Sequence, residues 1–374
     1  MTVRDVQHFF GHNTQKDLSL ISSDASVFHG ELGFEALGSA SDICFVRRKQ
    51  CFNNEYVIVT EKMLAGMGLK ESGLTINLAG LQLANPTVLA SGILGYSTET
   101  LERLVKGGAG AVVTKSIGLK PRKGYANPTV VQASCGLINA MGLPNPGIDE
   151  YVEEFRQARD ILNVPLIMSV YGYSAEEYAT IAKKAAAAGA DAVELNVSCP
   201  HVKDTGSEIG QCPEALAEVV RKVRASVSKP VFVKLSPNIT SIADIAEVAV
   251  KAGADGLTIM NTVKAMAIDV ETAMPILGNR VGGLSGPAIK PIALRCVYDV
   301  FERVKVPIMG CGGIVDWRDA VEFLLVGASA VQIGTAISLK GPNVFRGVTL
   351  GIKRYLEIKH FEKVEEIVGL SHRS

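Results

Sequence analysis

The chain has 374 residues, and its 38 Lys and Arg residues balance 38 Asp and Glu residues. A net charge of zero gives no field that would favour nucleic acid or an anionic membrane as a partner. No apolar run is long enough to cross a bilayer, and the N-terminal MTVRDVQHFF lacks the layout of a secretory signal. Seven cysteines without a C-x-x-C pair fit a reducing cytoplasm and argue against zinc or an iron–sulfur cluster on this chain. We therefore predict a cytoplasmic protein that binds no metal.

The first part of the chain, residues 1–72, is polar and irregular and shows no sustained periodicity. We predict a poorly ordered N-terminal extension over 1–72 and one large domain over 73–374. Met63 and Met67 lie close to this boundary, which raises the hypothesis that translation starts downstream of Met1. Directly after the boundary, the pattern LTINLAGLQLANP predicts a short hairpin over 74–86.

A repeated pattern runs through the second part of the chain: a helix end, a Gly-Ala corner and then a buried strand. Glycine suits the left-handed position after a helix, and an apolar run suits a strand covered on both faces. The four copies are GGAGAVVTKS (107–116), AAGADAVELNVS (187–198), KAGADGLTIMNT (251–262) and LVGASAVQIGTA (325–336). Successive copies are about two strand–helix units apart, since one unit occupies roughly 30 residues. One further strand is therefore expected between each pair of copies.

The sequence contains four such strand segments. The stretches that separate the predicted strands are amphipathic and typical of helices. They are PTVLASG (86–92), VPLIMSVYG (164–172), KPVFVKLSP (229–237) and VPIMGCGGI (306–314). One helix begins with Ser174 and Glu177 in capping-box spacing and ends at Gly189. Eight strands alternating with helices predict an α/β fold, a (β/α)₈ TIM barrel whose floor the N-terminal hairpin closes. An open doubly wound sheet is the alternative, but the regular spacing favours closure.

Polar residues are predicted at the carboxyl ends of the barrel strands, where such barrels carry their chemistry. Lys115 and Lys234 end two otherwise apolar strands, and Asn196 and Cys199 end a third. A buried lysine is unfavourable unless an anion or dipole meets it, so we predict that both lysines contact a ligand. The alternative is a salt bridge to an inward carboxylate, for which Glu194 is the candidate. Cys199 stands directly before a proline, which indicates a thiol placed at the barrel mouth.

Glycine-rich segments follow the last two predicted strands, in GCGGI (310–314) and QIGTA (332–336). Their backbone N–H groups can approach an anion closely, so the two segments together predict phosphate binding. Tight turns at positive φ are the alternative reason for these glycines. The segment GLINAMGLPNPG (136–147) is predicted to be mostly loop. We predict that this long loop is functional, because apolar Met141 and Leu143 argue against a mere surface insertion.

From about Leu74 to Gly351 the sequence resembles the class 1 dihydroorotate dehydrogenases, FMN-containing barrels of pyrimidine biosynthesis. Nine motifs occur in the family's order: LASG, TKSIGLKPRKGYANPT, NAMGLPNPG, ELNVSCP, VKLSPN, MNT, GGLSGPAIKP, GCGGI and QIGTA. The resemblance implies one FMN per chain and the oxidation of (S)-dihydroorotate to orotate in de novo synthesis of UMP.

Matched position by position, the resemblance implies that Cys199 is the general base. The residues implied to bind FMN are Ser91, Lys115, Ser116, Asn196, Lys234, Met260, Gly286, Gly312, Gly313, Gly334 and Thr335. The residues implied to hold the pyrimidine ring and its carboxylate are Lys115, Asn139, Ala140, Met141, Gly142, Leu143, Asn196, Asn261 and Thr262. The segment PHVKDTGSEIGQ (200–211) matches a mobile lid.

Cysteine at position 199 implies a soluble enzyme, since relatives that reduce membrane quinones carry serine there. NTVKAMAID (261–269) and CPHVK (199–203) look most like the NAD-linked type, class 1B. That type works with a second subunit bearing FAD and a 2Fe–2S cluster, so the resemblance implies a homodimer within a heterotetramer that reduces NAD⁺. It implies neither a nucleic-acid nor a membrane partner.

Four other functions stay open at this stage. Two are flavin enzymes, a fumarate-linked class 1A enzyme and a barrel similar to the dihydropyrimidine dehydrogenases. The other two are a phosphate-binding isomerase or lyase without flavin, and a catalytically idle scaffold.

A few residues depart from the family's pattern or have no role in it. His201 stands where many relatives have an asparagine that touches the substrate. Ser169 replaces an asparagine that often contacts flavin, so Ser169 is left out of the binding set. Cys296, in a predicted helix, and Cys311, in a predicted strand, are interpreted as small core residues. Trp317 is expected at the start of the seventh barrel helix.

Overall fold

The computed structural model describes residues 28–30, 34–40, 43–48, 56–60, 73–197 and 209–373. Two compact units divide the chain, Met1–Ser72 and Gly73–Ser374. In the first unit the described strands are β1 (Phe28–Gly30), β2 (Phe34–Ala40), β3 (Ile43–Arg48) and β4 (Tyr56–Thr60), which form an antiparallel sheet in chain order. The sequence analysis did not predict these strands. The poor order of 1–72 and the downstream start stay predictions.

The second unit alternates strands and helices. Its strands are β5 (Ile76–Leu78), β6 (Leu81–Leu83), β7 (Thr87–Leu89), β8 (Ala111–Val113), β9 (Val130–Ala133), β10 (Gly136–Asn139), β11 (Leu166–Val170), β12 (Ala192–Asn196), β13 (Val231–Leu235), β14 (Gly256–Ile259), β15 (Val263–Met266), β16 (Ile268–Asp269), β17 (Met274–Pro275), β18 (Val281–Ser285), β19 (Ile308–Cys311) and β20 (Ala330–Ile333). Its described α-helices are α1 (Thr98–Lys106), α2 (Ile148–Ile161), α3 (Ala175–Ala187), α4 (Pro213–Ser226), α5 (Ile242–Lys251), α6 (Lys290–Arg303), α7 (Trp317–Leu325), α8 (Ala336–Lys340) and α9 (Val344–Lys359). Within the part of the chain that the structure describes, no helix is long and apolar enough to cross a membrane.

Eight parallel strands close into a barrel in the order β7-β8-β11-β12-β13-β14-β19-β20, with β20 pairing back to β7. Every residue of β11, β12, β13 and β20 is buried, because the barrel interior covers one face of each strand and the helices cover the other. Each of the eight predicted strand segments contains one barrel strand. The (β/α)₈ prediction is therefore confirmed, and the open-sheet alternative is wrong.

The predicted hairpin is formed by antiparallel β5 and β6. Leu78 and Leu83 are fully buried and belong to the main hydrophobic core. Gly80 of the hairpin turn and the first two residues of β6 line a small cavity together with Pro165 and Asp191, which precede β11 and β12. The hairpin thus lies at the amino-terminal end of the barrel strands, as the sequence predicts.

A second sheet, with the order β15-β18-β10-β9, lies outside the barrel and was not predicted. It is antiparallel, and its strands come from the long connections that follow β8 and β14. The predicted loop 136–147 therefore begins with strand β10, and only its remaining residues are loop. Ile138, Ala140 and Leu277 form a small separate core cluster associated with this sheet.

Two helices begin where the sequence predicts. Ser174 Oγ accepts a hydrogen bond from the Glu177 amide at 3.3 Å at the start of α3, as predicted. The Glu177 carboxylate accepts from the amide of Tyr173 at 2.8 Å and not from that of Ser174, so the predicted capping box is only half formed. Trp317 opens α7 directly after its N-cap residue Asp316, as expected.

Contact between β19 and α7 gives a direct test of barrel packing. A Cβ atom at Gly310 would overlap the ring of Phe323, which is fully buried. We expect Gly310→Ala to lower the free energy of unfolding by about 1–3 kcal/mol, because an added methyl group overpacks a filled site. Chemical denaturation followed by circular dichroism measures this change.

The matched control for this variant is Gly347→Ala in α9, where a Cβ atom meets nothing within 4 Å. Alanine there should raise stability by about 0.5–1 kcal/mol through helix propensity. Equal effects of the two substitutions would contradict the packing argument.

Candidate active site

A cavity of about 480 Å³ opens at the carboxyl ends of the barrel strands. It contains every residue predicted to bind FMN, and every residue predicted to hold the substrate except Ala140. The Ala140 side chain belongs to the small core cluster with Ile138 and Leu277, which is why it does not line the cavity. Residues from at least six barrel strand ends meet here, since strands of a closed parallel barrel share one mouth.

The glycines after β19 and β20 line the cavity with exposed backbone. Gly312 and Gly313 have φ of 130° and 82°, and a Cβ atom at either would lie within 3 Å of α6. The backbone N–H groups of Gly312, Gly313, Gly334 and Thr335 make no hydrogen bond to another residue within the described ranges. These four N–H groups fit the phosphate of a mononucleotide, because such groups bind oxyanions well. Phosphate binding by these segments stays a prediction.

A buried network around Ser116 orients Asn196 at the cavity. The Ser116 hydroxyl lies 3.2 Å from Ser91 Oγ and 2.9 Å from Ser169 Oγ, and it accepts from Asn196 Nδ2 at 2.9 Å. Tyr178 donates its hydroxyl to the backbone carbonyl of Asn196 at 2.9 Å. Ser169 is fully buried and supports Ser116 from behind without lining the cavity. The amide of Asn196 is therefore held in place before any ligand arrives.

The two lysines at the mouth differ in their surroundings. Lys115 is half-buried, and burial lowers the pKa of its ammonium group. Lys234 is only 4% exposed, and its Nζ donates to Gln332 Oε1 at 3.1 Å. The Gln332 amide in turn donates from Nε2 to Glu194 Oε2 at 2.8 Å. The alternative of a direct Lys234–Glu194 salt bridge is wrong, because Gln332 lies between the two groups.

Amide side chains also line the cavity. Asn139 Nδ2 donates to the Gly283 carbonyl at 3.3 Å, which fixes this side chain on the second sheet. Asn261 Oδ1 accepts from the Thr262 amide at 2.7 Å. Asn238 Nδ2 donates to the Thr262 carbonyl at 3.0 Å and so braces the turn after β14. Amides suit the edge of a pyrimidine because each supplies both donors and acceptors.

The loop at 141–143 is held against the cavity by Arg122. Arg122 Nε donates to the Gly142 carbonyl at 2.6 Å, and its Nη1 donates to the Tyr173 hydroxyl at 2.9 Å. The Tyr125 amide donates to the Met141 carbonyl at 3.1 Å. The sequence analysis did not identify Arg122, although it lies within a quoted motif.

Several cavity-lining residues were not predicted, among them Gln332, Ser285 and Cys311. Gln332 interrupts the apolar run of β20, and this polar residue in a buried strand was the available signal. Cys311 was interpreted as a core residue, but it also lines the cavity. Burial raises the pKa of its thiol, and two nearby charges act in opposite directions: Lys234 lowers this pKa and Glu194 raises it.

Cys199, His201 and most of the predicted lid 200–211 lie outside the described residues, which stop at 197 and resume at 209. Asn196, three positions before Cys199, lines the cavity, and Val197 is fully buried. Within the described ranges, no group of three or more His, Cys, Asp or Glu side chains could hold a metal ion.

The arrangement is that of a (β/α)₈ barrel enzyme whose cavity, at the carboxyl ends of the strands, is lined by glycine-rich backbone, two lysines and amide side chains. The dihydroorotate dehydrogenase family model matches residues 73–356. The chain belongs to the dihydroorotate dehydrogenase family, a family of oxidoreductases.

The sequence of this chain aligns with curated relatives over nearly their full length. The chain is 53% identical over 298 residues to the catalytic subunit of dihydroorotate dehydrogenase B (NAD⁺) from Pyrococcus abyssi, covering 80% of this chain and 99% of that protein. It is 54% identical over 298 residues to the protein of the same description from Pyrococcus furiosus, covering 80% and 98%. The resemblance to the NAD-linked class 1B subunits is confirmed.

A solved structure agrees in fold. The dihydroorotate dehydrogenase of Eimeria tenella, crystallised with ferulenol, superposes with a TM-score of 0.72 at 23% identity. The superposition covers 84% of this chain and 95% of the other. At this identity the likeness concerns the barrel fold alone.

The two side-chain hydrogen bonds of Arg122 lead to a testable prediction about how the 141–143 loop is held in place. We expect Arg122→Lys to speed amide hydrogen exchange of this loop about tenfold, because a lysine loses the fork that joins Gly142 to Tyr173. Mass spectrometry of exchange in the ligand-free protein measures the change. Tyr173→Phe is the control, since it removes only the hydroxyl contact and should have a smaller effect. Unchanged exchange in Arg122→Lys would mean that backbone pairing alone holds the loop.

Proposed function

We propose that the chain oxidises (S)-dihydroorotate to orotate in pyrimidine biosynthesis, with FMN as its resident cofactor. The observation that carries the proposal is the single cavity that collects the glycine-rich segments after β19 and β20, Lys234 and the amide groups. The 53% identity to a catalytic subunit of dihydroorotate dehydrogenase B supports the same activity. FMN supplies the hydride acceptor in this reaction, and all other steps fall to the chain's own residues.

The FMN-binding residues are proposed to act at two places in the cavity. The N–H groups of Gly312, Gly313, Gly334 and Thr335 hold the phosphate. Lys234 faces the N1–C2=O edge of the flavin, where negative charge collects on reduction. The remaining proposed contacts are Ser91, Lys115, Ser116, Asn196, Met260 and Gly286, all of which line the same cavity.

The substrate residues are proposed to orient the pyrimidine over the flavin. Asn139, Asn196 and Asn261 pair with donors and acceptors of the ring, and Thr262 and the 140–143 segment complete this side. Lys115 has no ion-pair partner among the residues that the structure describes, so its ammonium group is open to the substrate carboxylate. A carboxylate here favours the charged lysine and offsets the effect of burial on its pKa.

Cys199 is proposed as the general base that removes the proton from C5 of dihydroorotate. A thiolate can do this when its pKa lies near the working pH. The assignment comes from the ELNVSCP motif, in which Asn196 precedes the thiol by three residues. A base at this place would act on the substrate face opposite the flavin.

The chain is proposed to pass its electrons to NAD⁺ through a partner subunit. The curated relatives are named as catalytic subunits of an NAD⁺-linked enzyme, which supports a separate electron-transfer subunit. That partner is proposed to carry FAD and a 2Fe–2S cluster, in a heterotetramer built on a homodimer of this chain. A fumarate-linked enzyme of class 1A is the second candidate, and fumarate reduction by the purified chain alone would favour it.

An assay of the purified, FMN-loaded protein tests the function. We expect bleaching of the flavin absorbance near 450 nm, about where oxidised flavins absorb, on addition of dihydroorotate but not of dihydrouracil. Dihydrouracil lacks the carboxylate that Lys115 would bind. Bleaching by dihydrouracil alone would instead indicate an enzyme similar to the dihydropyrimidine dehydrogenases. A purified protein without bound flavin would contradict both.

Replacement of the proposed base gives a sharper test. We expect Cys199→Ala to keep FMN bound and to slow flavin reduction by dihydroorotate by about 10²–10⁴-fold, the usual contribution of a general base. Stopped-flow absorbance measures the rate. Cys212→Ser is the matched control, because Cys212 is an exposed cysteine that directly follows the lid segment in the sequence. Equal rates in Cys199→Ala and the unsubstituted protein would refute the assignment.

A further inference from the structure

A cluster of four buried polar side chains lies inside the barrel, and only two of its members reach the cavity. Glu194 and Thr258 are 0% exposed, Gln332 is 1% exposed and Lys234 is 4% exposed. They come from β12, β14, β20 and β13, respectively. Lys234 and Gln332 line the cavity, whereas Glu194 and Thr258 lie behind them. Charged groups buried this deeply are unfavourable unless they are paired.

The cluster has donors at one end and acceptors at the other, from the Lys234 ammonium group through the Gln332 amide to the Glu194 carboxylate. Glu194 Oε2 accepts from Thr258 Oγ1 at 2.9 Å and from Gln332 Nε2 at 2.8 Å. Gln332 Oε1 accepts from Lys234 Nζ at 3.1 Å. A carboxylate only accepts and an ammonium group only donates, so the amide of Gln332 satisfies both neighbours in one orientation alone. Glu194 and Lys234 therefore fix the Gln332 amide from its two ends, with Nε2 toward the carboxylate and Oε1 toward the lysine.

The second carboxylate oxygen shows that hydrogen bonding alone does not explain Glu194. Glu194 Oε1 is buried and has no hydrogen-bond partner within the described part of the chain. Buried polar atoms without a partner are exceptional and call for a reason. A glutamine at this position would offer the same accepting oxygen to Gln332 and Thr258 without a buried charge. The feature that needs a function is therefore the negative charge itself.

We propose that Glu194 is a positioning residue that acts on Lys234 through Gln332. Its carboxylate orients the amide that holds Lys234 Nζ, and its charge offsets part of the positive charge that Lys234 presents to the cavity. This inference rests on the proposed function, in which Lys234 faces the N1–C2=O edge of FMN. Because a positive charge there favours the reduced flavin, Glu194 holds the reduction potential of the bound FMN below the value that Lys234 alone would set.

Two substitutions separate the charge from the orientation. Glu194→Gln removes the charge but keeps an oxygen for Gln332 and Thr258. Glu194→Met removes both, and an apolar side chain of similar length is tolerated at many buried charged sites. We expect both variants to raise the midpoint potential of the bound FMN, measured by spectroelectrochemical titration. Only Glu194→Met should also weaken FMN binding several-fold, measured by flavin fluorescence, since it alone removes the carboxylate-side oxygen that holds Nε2 of Gln332.

The matched control is Thr258→Val, which removes the hydrogen bond to the same carboxylate oxygen and a longer one from Gln332 Nε2 at 3.4 Å, and leaves the charge in place. Its midpoint potential should equal that of the unsubstituted protein. An unmoved potential in flavin-loaded Glu194→Gln and Glu194→Met would overturn the inference, as would an equal shift in Thr258→Val. Unsubstituted protein that binds no FMN would overturn the proposed function, which is a distinguishable result.

Discussion

Pairing of β20 with β7 closes the barrel, and the site depends on this closure. Because all eight strands are parallel, closure brings their carboxyl ends to one mouth, whatever their separation along the chain. Ser91 follows the first barrel strand and Thr335 follows the last, yet both line one cavity. An open sheet would leave these two residues on opposite edges. The meeting of the glycine-rich segments and the amide side chains in one cavity is therefore a consequence of one pairing.

Strand register determines which polar groups meet inside the barrel. Side chains two positions apart share a face of a strand, so Glu194 and Asn196 both point to the interior from β12. Asn196 lies opposite Lys234 in the register of β12 and β13, and Lys234 lies opposite Thr258 in that of β13 and β14. Buried polar groups then find partners across the barrel interior, on strands that are not adjacent in the sheet, as in the bonds of Glu194 to Thr258 and Gln332. This is why the upper barrel interior holds two hydrogen-bonded networks where apolar layers would otherwise pack.

The barrel was predictable because its signals are local and repeated, whereas the missed features depend on contacts between distant segments. A Gly-Ala corner before an apolar run identifies a buried strand by itself, as at 187–198. The strand β15 (VKAM) alternates between half-buried and exposed residues and resembles loop until its partner β18 is known. The same limit applies at the site. The sequence shows that Lys234 and Glu194 are buried polar residues, but not that Gln332 from the last strand separates them.

The two lysines at the mouth differ in how their charges are held, and this difference bears on the ligands proposed for them. Lys234 is tied to Gln332 and, through it, to a carboxylate, so its ammonium group is fixed and partly neutralised before any ligand binds. Among the described residues Lys115 has no ion-pair partner, and burial lowers its pKa, so it loses its proton at lower pH than an exposed lysine. An arriving anion reverses this effect because it favours the charged form. A fixed charge suits a cofactor that stays, whereas a charge that the ligand itself stabilises suits a substrate carboxylate that enters and leaves.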